Sequence, residues 1–471
     1  MESDNPLPNE YRKEGLHFEA KSAPDGIPPD FWETYSAFAN TFGGRIVLGI
    51  SEGEDGSLYA TGVRDPKKMV KVLWDNLNNP RFVNCNILTE GDVRIEECGD
   101  VTLVAVDVPA ADRRRRPVYI RNSMNSGTFK RNDEGDYHCR IDEIKQMIRD
   151  SGDDSQDDTV IETMDMDCFD DATLGRYLTE LSSIRPGHPW ARIDRGQFLQ
   201  LSGAAVEAGG ILHPTVAGLL MFGKVNCIRR AMNGYFLDYR ERSTEERWDL
   251  RIHSNSGDWS GNVYDFVTEV MTRLSLKIGS KFEMRGYTNT NGSDTYIAVR
   301  EAVMNGVIHA DYRLGGGVIV EWSPAKVKVT NPGTMRIPMK EAKKGIRSDP
   351  RNNTLMAMAM AVGWVERIGS GIFVMEKAVS EGHLLSVSIN EMTDPSAVET
   401  VLELPVPDTG SSCKANEVLA ILRERPQITR QDLASELGVS ISTVSNRLAS
   451  LREAGRIRRI GGNKNGRWEL I

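Results

Sequence analysis

At 471 residues, 39% hydrophobic and 27% charged, the chain has the composition of a protein that builds real cores, and roughly 150 residues per domain gives about three domains. No run approaches ~18 apolar residues, and the opening Met1-Glu-Ser-Asp-Asn-Pro6 has no apolar segment of signal-peptide type, so a cytoplasmic protein without membrane contact is expected. A formal charge of −9 excludes a uniformly basic nucleic-acid coat, so any such contact must come from local patches. The six cysteines are scattered, without Cys-x-x-Cys pairs or histidines at metal spacing, which fits reduced structural thiols.

In chain order, a helical pattern lies between Pro29 and Thr41, with Phe31, Tyr35, Phe38 and Ala39 on one face. Short apolar runs at Arg45–Ile50 and Val101–Val108 predict strands. The run Arg113, Arg114, Arg115 and Arg116 is the strongest local positive charge, and forked guanidiniums suit phosphates; the competing reading is a loop neutralised by the acidic run that follows. That run, Asp150-Ser-Gly-Asp-Asp-Ser-Gln-Asp-Asp158, predicts a solvated linker, and Pro405–Ser412 predicts a second break. The cuts leave units of about 10–149, 160–404 and 413–471. Helices are expected over Leu174–Leu181 and Gln197–Leu201, with Arg240–Trp248 a charged hinge or strand edge.

In the middle unit, Glu301 and Asn305 stand one helical turn apart and share a face. A carboxylate able to activate water beside an amide oxygen able to hold a hard cation is the minimal equipment of a magnesium-nucleotide site. The bland alternative is an amphipathic helix with both residues in solvent. Downstream, Val327–Gly333 reads as a strand ending in an Asn-Pro-Gly turn, and Gly369-Ser-Gly371 precedes an apolar helix whose free N–H groups suit an anion. Gly315-Gly316-Gly317 reads as a turn before strand Val318–Trp322.

Residues 413–471 carry eleven Lys/Arg against six Asp/Glu, a local charge of +5. Helices are expected over Asn416–Glu424, Arg430–Leu437 (capped by Thr429) and Ser440–Ala454, the last burying Ile441, Val444, Leu448 and Leu451. A basic hairpin over 456–468 would follow, with Gly461-Gly462 or Asn465-Gly466 at its tip.

Three resemblances follow from these residues. Glu14, His17-Phe-Glu-Ala-Lys21, Ala37-Phe-Ala-Asn-Thr-Phe-Gly-Gly44, Pro117–Arg121 and Gly127–Arg131 resemble the Schlafen-type AlbA-like domain of bacterial regulators, which implies nucleic-acid binding. Some relatives cut RNA with three acids; Glu14 and Glu19 match two, and Ser51 stands where the third is usual. Residues 211–385, through His213–Lys224, Arg300–Tyr312, Asn331–Gly333 and Val365–Gly371, look like a divergent form of the ATP-binding fold of gyrase, histidine kinases and MutL. By that likeness Glu301 polarises the attacking water, Asn305 holds magnesium through the nucleotide, and Gly333, Gly369 and Gly371 contact the nucleotide. Asn331 replaces the family's adenine-reading aspartate with a neutral, weaker acceptor. The C-terminal unit resembles a winged helix-turn-helix, which turns Ser442, Thr443, Ser445, Asn446 and Arg447 toward the major groove and places Arg458, Arg459, Lys464 and Arg467 on the wing.

The expectation is therefore a multidomain α/β (α+β) protein: a Schlafen-type α/β domain, a Bergerat-type α/β sandwich and a winged helix. Its expected role is a DNA-binding transcriptional regulator that responds to ATP or ADP with magnesium, binds double-stranded DNA and works as a homodimer or higher. Nucleotide occupancy would bias the outer domains and so tune DNA affinity. Slow ATP turnover is compatible with the reading. The alternative is a metal-dependent nuclease gated by ATP, acting in defence.

Overall fold

The structure, a computed structural model, describes residues 7–153, 155–243, 248–278, 293–345, 348–365, 369–405, 418–419, 421–423, 425–453, 457–460 and 467–470. The chain divides into two units, Met1–Glu403 and Leu404–Ile471.

The first unit opens with a four-stranded sheet in the order Phe18–Lys21, Gly44–Leu48, Val101–Val108, Val93–Cys98. Helix Phe31–Asn40 packs on it and is buried on nearly every side, not on the single face its period suggests. Its polar residues are consumed in holding the chain together. Asn40 Nδ2 donates to the carbonyls of Val118 (2.8 Å) and Phe129 (3.0 Å), and its Oδ1 accepts from Val118 N–H. Ser36 Oγ donates to Val118 O and accepts from Phe129 N–H. The Ala-Phe-Ala-Asn-Thr stretch is thus a clamp on the 117–131 segment, and buried polar groups satisfied this way fix one packing.

The larger sheet has six strands in the order Leu250–His253, Leu237–Glu241, Val318–Ser323, Lys326–Pro332, Ser396–Glu403, Ser386–Thr393. Leu237–Glu241 runs parallel to Val318–Ser323, and the other pairings are antiparallel. Period-2 alternation buries Val318, Val320 and Trp322 on one strand and Val327, Val329 and Asn331 on the next. Asn331 therefore lies in phase with two core valines. Helices Asp294–His309 and Gly371–Ser380 pack against one another, and the first approaches the sheet so closely that a Cβ at Gly306 would lie 2.6 Å from Val329 Cγ1.

The acidic run is not the solvated linker its composition predicts. The buried Asp150 carboxylate receives Arg351 Nε at 3.1 Å and Nη2 at 2.9 Å. Buried Asp157 accepts Leu355 N–H at 2.7 Å, at the start of helix Asn353–Ala361. Composition reads such carboxylates as solvated because their partners lie about two hundred residues away.

The second unit packs Val418, Leu422, Leu433, Val444, Leu448, Leu451, Ile457 and Trp468 into one core. Helices Arg430–Glu436 and Ile441–Glu453 form the helix-turn-helix, and strands Ile457–Ile460 and Arg467–Leu470 pair antiparallel as the wing. Thr429 caps the first helix as expected, and Ser440 Oγ accepts Thr443 N–H at the start of the second. Ile441 departs from its expected burial: it is 49% exposed, at the first turn and off the inward stripe. The hairpin tip falls outside the described residues, as does much of the first expected helix of this unit.

Candidate functional site

Glu301 and Asn305 project from helix Asp294–His309 toward the N-terminus of helix Gly371–Ser380. The fit is tight. A Cβ on Gly371 would lie 2.7 Å from Asn305 Nδ2 and 3.1 Å from Glu301 Oε2, so only glycine lets the backbone approach both side chains. Glu301, Asn305, His309, Asn331, Gly369 and Gly371 line one cavity of about 110 Å³. Its apolar walls come from Ile308, Met335, Met356 and Val398. The first-turn N–H groups of a ten-residue helix, a carboxylate and an amide oxygen can receive an anion together with a hard cation. Burial lowers the pKa of His309 to about 4, with Arg351 and Arg336 adding to the effect, so this cavity wall carries a neutral imidazole at pH 7.

Gly333 does not line the cavity. At φ +102° it makes room for the Arg351 guanidinium, whose Nη1 would lie 2.9 Å from an added Cβ. Its place in the Asn-Pro-Gly turn thus serves packing. The residues that sequence reasoning missed are Arg336, Asp349 and Thr400, all of which line the cavity. Thr400 could have been found from the alternation Val398, Thr400, Leu402 along its strand; the other two carry no local signal.

The arginine run splits. Arg113 is buried, with Nε on Asp349 at 2.5 Å and Nη1 on the carbonyls of Asp150 and Gly152. Arg116 donates to the carbonyls of Ala111 and Thr41. Both point into the fold, Arg113 to an ion pair and Arg116 to carbonyls. Arg114 is exposed and paired with Asp153 at 2.7 Å; Arg115 is exposed, with one weak contact to Asn86 O. The competing reading holds in part: Asp153 of the following run pairs with Arg114, whereas the acid on Arg113 is Asp349, far along the chain.

The two candidate nuclease acids are likewise engaged. Glu19 pairs with Lys21 at 2.6 Å and with the buried Arg131 at 2.7 Å. Glu14 accepts Ala20 N–H at 2.8 Å, and burial raises its pKa. Ser51 faces Thr61, and among the described residues no third acid joins them in a metal-holding group. The pair fits a packing role better than a two-metal cut.

On the winged helix, Ser442 and Asn446 are exposed, while Thr443, Ser445 and Arg447 are half-buried along the same helix. Arg458 pairs with Glu469, Arg459 lies 5.0 Å from the Trp468 ring centroid, and Arg467 is exposed. Lys464 lies outside the described residues.

Comparison with known proteins matches four segments. Residues 10–142 match Schlafen, AlbA_2; 145–238 a domain of unknown function (DUF8451); 315–400 "Putative ATP-dependent DNA helicase recG C-terminal"; and 416–458 the winged helix-turn-helix DNA-binding family. No curated protein matches. Solved structures similar to the chain include the DIP2311 protein from Corynebacterium diphtheriae, at 16% identity over 97% of this chain and 95% of that one, TM-score 0.41. Another is the "N-terminal domain of putative ATP-dependent DNA helicase RecG-related protein" from Nitrosomonas europaea, at 29% identity over 27% of this chain and 86% of that one, TM-score 0.22. The chain is a multidomain α/β protein with a Schlafen AlbA_2 domain, a RecG C-terminal-like domain and a winged helix-turn-helix. Among the described residues no helix is long and apolar enough to cross a membrane.

Proposed function

We propose that this chain, a Schlafen AlbA_2 domain joined to a RecG C-terminal-like domain and a winged helix-turn-helix, is a DNA-binding regulator whose middle region binds ATP or ADP with magnesium. The observation that carries the nucleotide half is the meeting of Glu301, Asn305, Gly369 and Gly371 around one cavity with Asn331 on its wall. Asn305 would hold the cation that bridges the phosphates, and the Gly371 helix N-terminus would take phosphate oxygens. Glu301 would orient water, and Asn331 would offer the exocyclic amine of a purine a neutral acceptor. With no carboxylate there, base recognition is weak and turnover slow.

The DNA half rests on the winged helix, with Ser442 and Asn446 exposed on the second helix of the motif and Arg467 exposed on the wing. Nucleotide occupancy shifts DNA affinity in this account, and paired half-sites suit a homodimer or higher. Calorimetry of the full chain with MgATP, beside fluorescence anisotropy on duplex DNA, tests both halves. Saturable binding of each is expected. Absence of nucleotide binding defeats the sensor reading, and absence of duplex binding defeats the regulator.

A further inference from the structure

A second cavity, about 440 Å³, lies within the Met1–Glu403 unit between the AlbA-like segment and the middle region. Its size falls in the range of small-molecule sites, roughly 300–1,000 Å³. Phe42, Met147, Met335, Ile337, Met339 and Ile389 supply apolar walls. Charged side chains line it as well, and several are paired. Lys130 is matched by Glu143 at 2.6 Å, and Arg113 by Asp349. Asp150 is taken up by Arg351, which stands outside this cavity.

Two guanidiniums remain. Among the described residues Arg116 donates to the neutral carbonyls of Ala111 and Thr41 alone. Arg336 is buried; among the described residues its Nε has no hydrogen-bond partner, and its nearest carboxylate contact is Asp349 at 3.5 Å. Against them stand Glu391, whose Oε1 accepts Met335 N–H, and the exposed Asp112, whose Oδ1 accepts Arg114 N–H. Burial lowers the pKa of both arginines and raises that of Glu391, so each of the three charges is under-compensated where it lies. The carboxylates have their donors, whereas Arg336 Nε has no acceptor among the described residues and Arg116 meets neutral ones.

We infer that this cavity is a second ligand site, for a small amphipathic anion: an apolar body against the methionines and isoleucines, and one carboxylate or phosphoryl group taken by the guanidiniums that line it. An anion there completes charge-assisted bonds that neutral carbonyls leave weak. Thr334, Met335, Arg336, Ile337 and Ile389 line both this cavity and the smaller one, so occupancy of either changes the wall of the other. Linkage then makes the effect reciprocal.

The test uses the full chain and anilinonaphthalene sulfonate, an aromatic body with one fixed negative charge, read by fluorescence. One saturable site is expected. Arg116→Gln, which removes a cation, and Thr393→Trp, which fills the cavity from a half-exposed strand end, should each weaken it about tenfold. Displacement by octanoate identifies a carboxylate ligand, and displacement by phenyl phosphate a phosphate ester. A non-saturable signal, a site unchanged in both variants, or one that neither anion displaces overturns the proposal. MgATP calorimetry on Thr393→Trp keeps the two sites apart. Retained nucleotide binding with the dye site lost supports a separate site, and failure of nucleotide binding in the wild type leaves the dye result standing on its own.

Discussion

Replacing Arg351 by glutamine is the most informative test of how the first unit holds together. Arg351 is 0% exposed and bonds Asp150 through two nitrogens, at 3.1 and 2.9 Å; it also donates to the carbonyls of His309 and Thr334. Removing it strands the Asp150 carboxylate, 5% exposed, with Gln156 Nε2 as its remaining donor among the described residues. Breaking one side of a buried pair costs about 3–5 kcal/mol. For a cooperative unit ending at Glu403, an unfolding entropy of about 2.1 cal/mol/K per residue converts that into a fall in Tm of about 4–6 °C. The assay is thermal and urea unfolding of wild type, Arg351→Gln, Asp150→Asn and the double variant. Because the partners touch, the double variant should lose less than the sum of the singles, with a coupling of about 2 kcal/mol. Additivity within about 0.5 kcal/mol would refute the claim that this pair locks the acidic run to the middle region.

Gly371→Ala places a methyl 2.7 Å from Asn305 Nδ2, so MgATP affinity should fall more than about tenfold while Tm changes little, as calorimetry and unfolding will show. His309 has a folded pKa of about 4 against an ordinary value of 6.5, so the unfolded chain takes up the proton first as pH falls. Its contribution is intact above about pH 6.5 and is lost toward pH 4. The upper bound is about 3 kcal/mol, reduced by the solvent that reaches the half-buried ring. Urea unfolding between those pH values should lose part of its acid sensitivity in His309→Gln. Arg467→Ala should weaken duplex binding for every sequence and reduce the salt slope by about 1, whereas Asn446→Ala should change preference between sequences; anisotropy at several salt concentrations separates them.

Much of the candidate site is legible because its signals are local. The spacing of Glu301 and Asn305 fixes a shared helix face, and Gly369-Ser-Gly371 marks a helix start; the fold needs only to bring the two together. Asn331 follows from strand alternation with Val327 and Val329. What the sequence hides is charge whose partner lies far along the chain. Arg113 is neutralised by Asp349 and Asp150 by Arg351, so a run that reads as a phosphate patch and a run that reads as a linker are parts of one buried network. Gly333 misleads for a related reason: a glycine beside a ligand motif and a glycine beside a buried guanidinium look alike in sequence. Glu14 and Glu19 carry a family pattern, but their carboxylates are spent on Ala20 N–H, Lys21 and Arg131.

The account's central claim is that nucleotide in the Glu301–Asn305 cavity governs DNA affinity. The direct measurement is the Kd of the full chain for duplex DNA, by fluorescence anisotropy at fixed salt, with and without MgATP, in wild type and in Gly371→Ala. The account predicts a shift of about fivefold or more in the wild type, equivalent to roughly 1 kcal/mol of coupling, and none in the variant. Equal DNA affinity with and without nucleotide in the wild type, or an equal shift in both proteins, would contradict it.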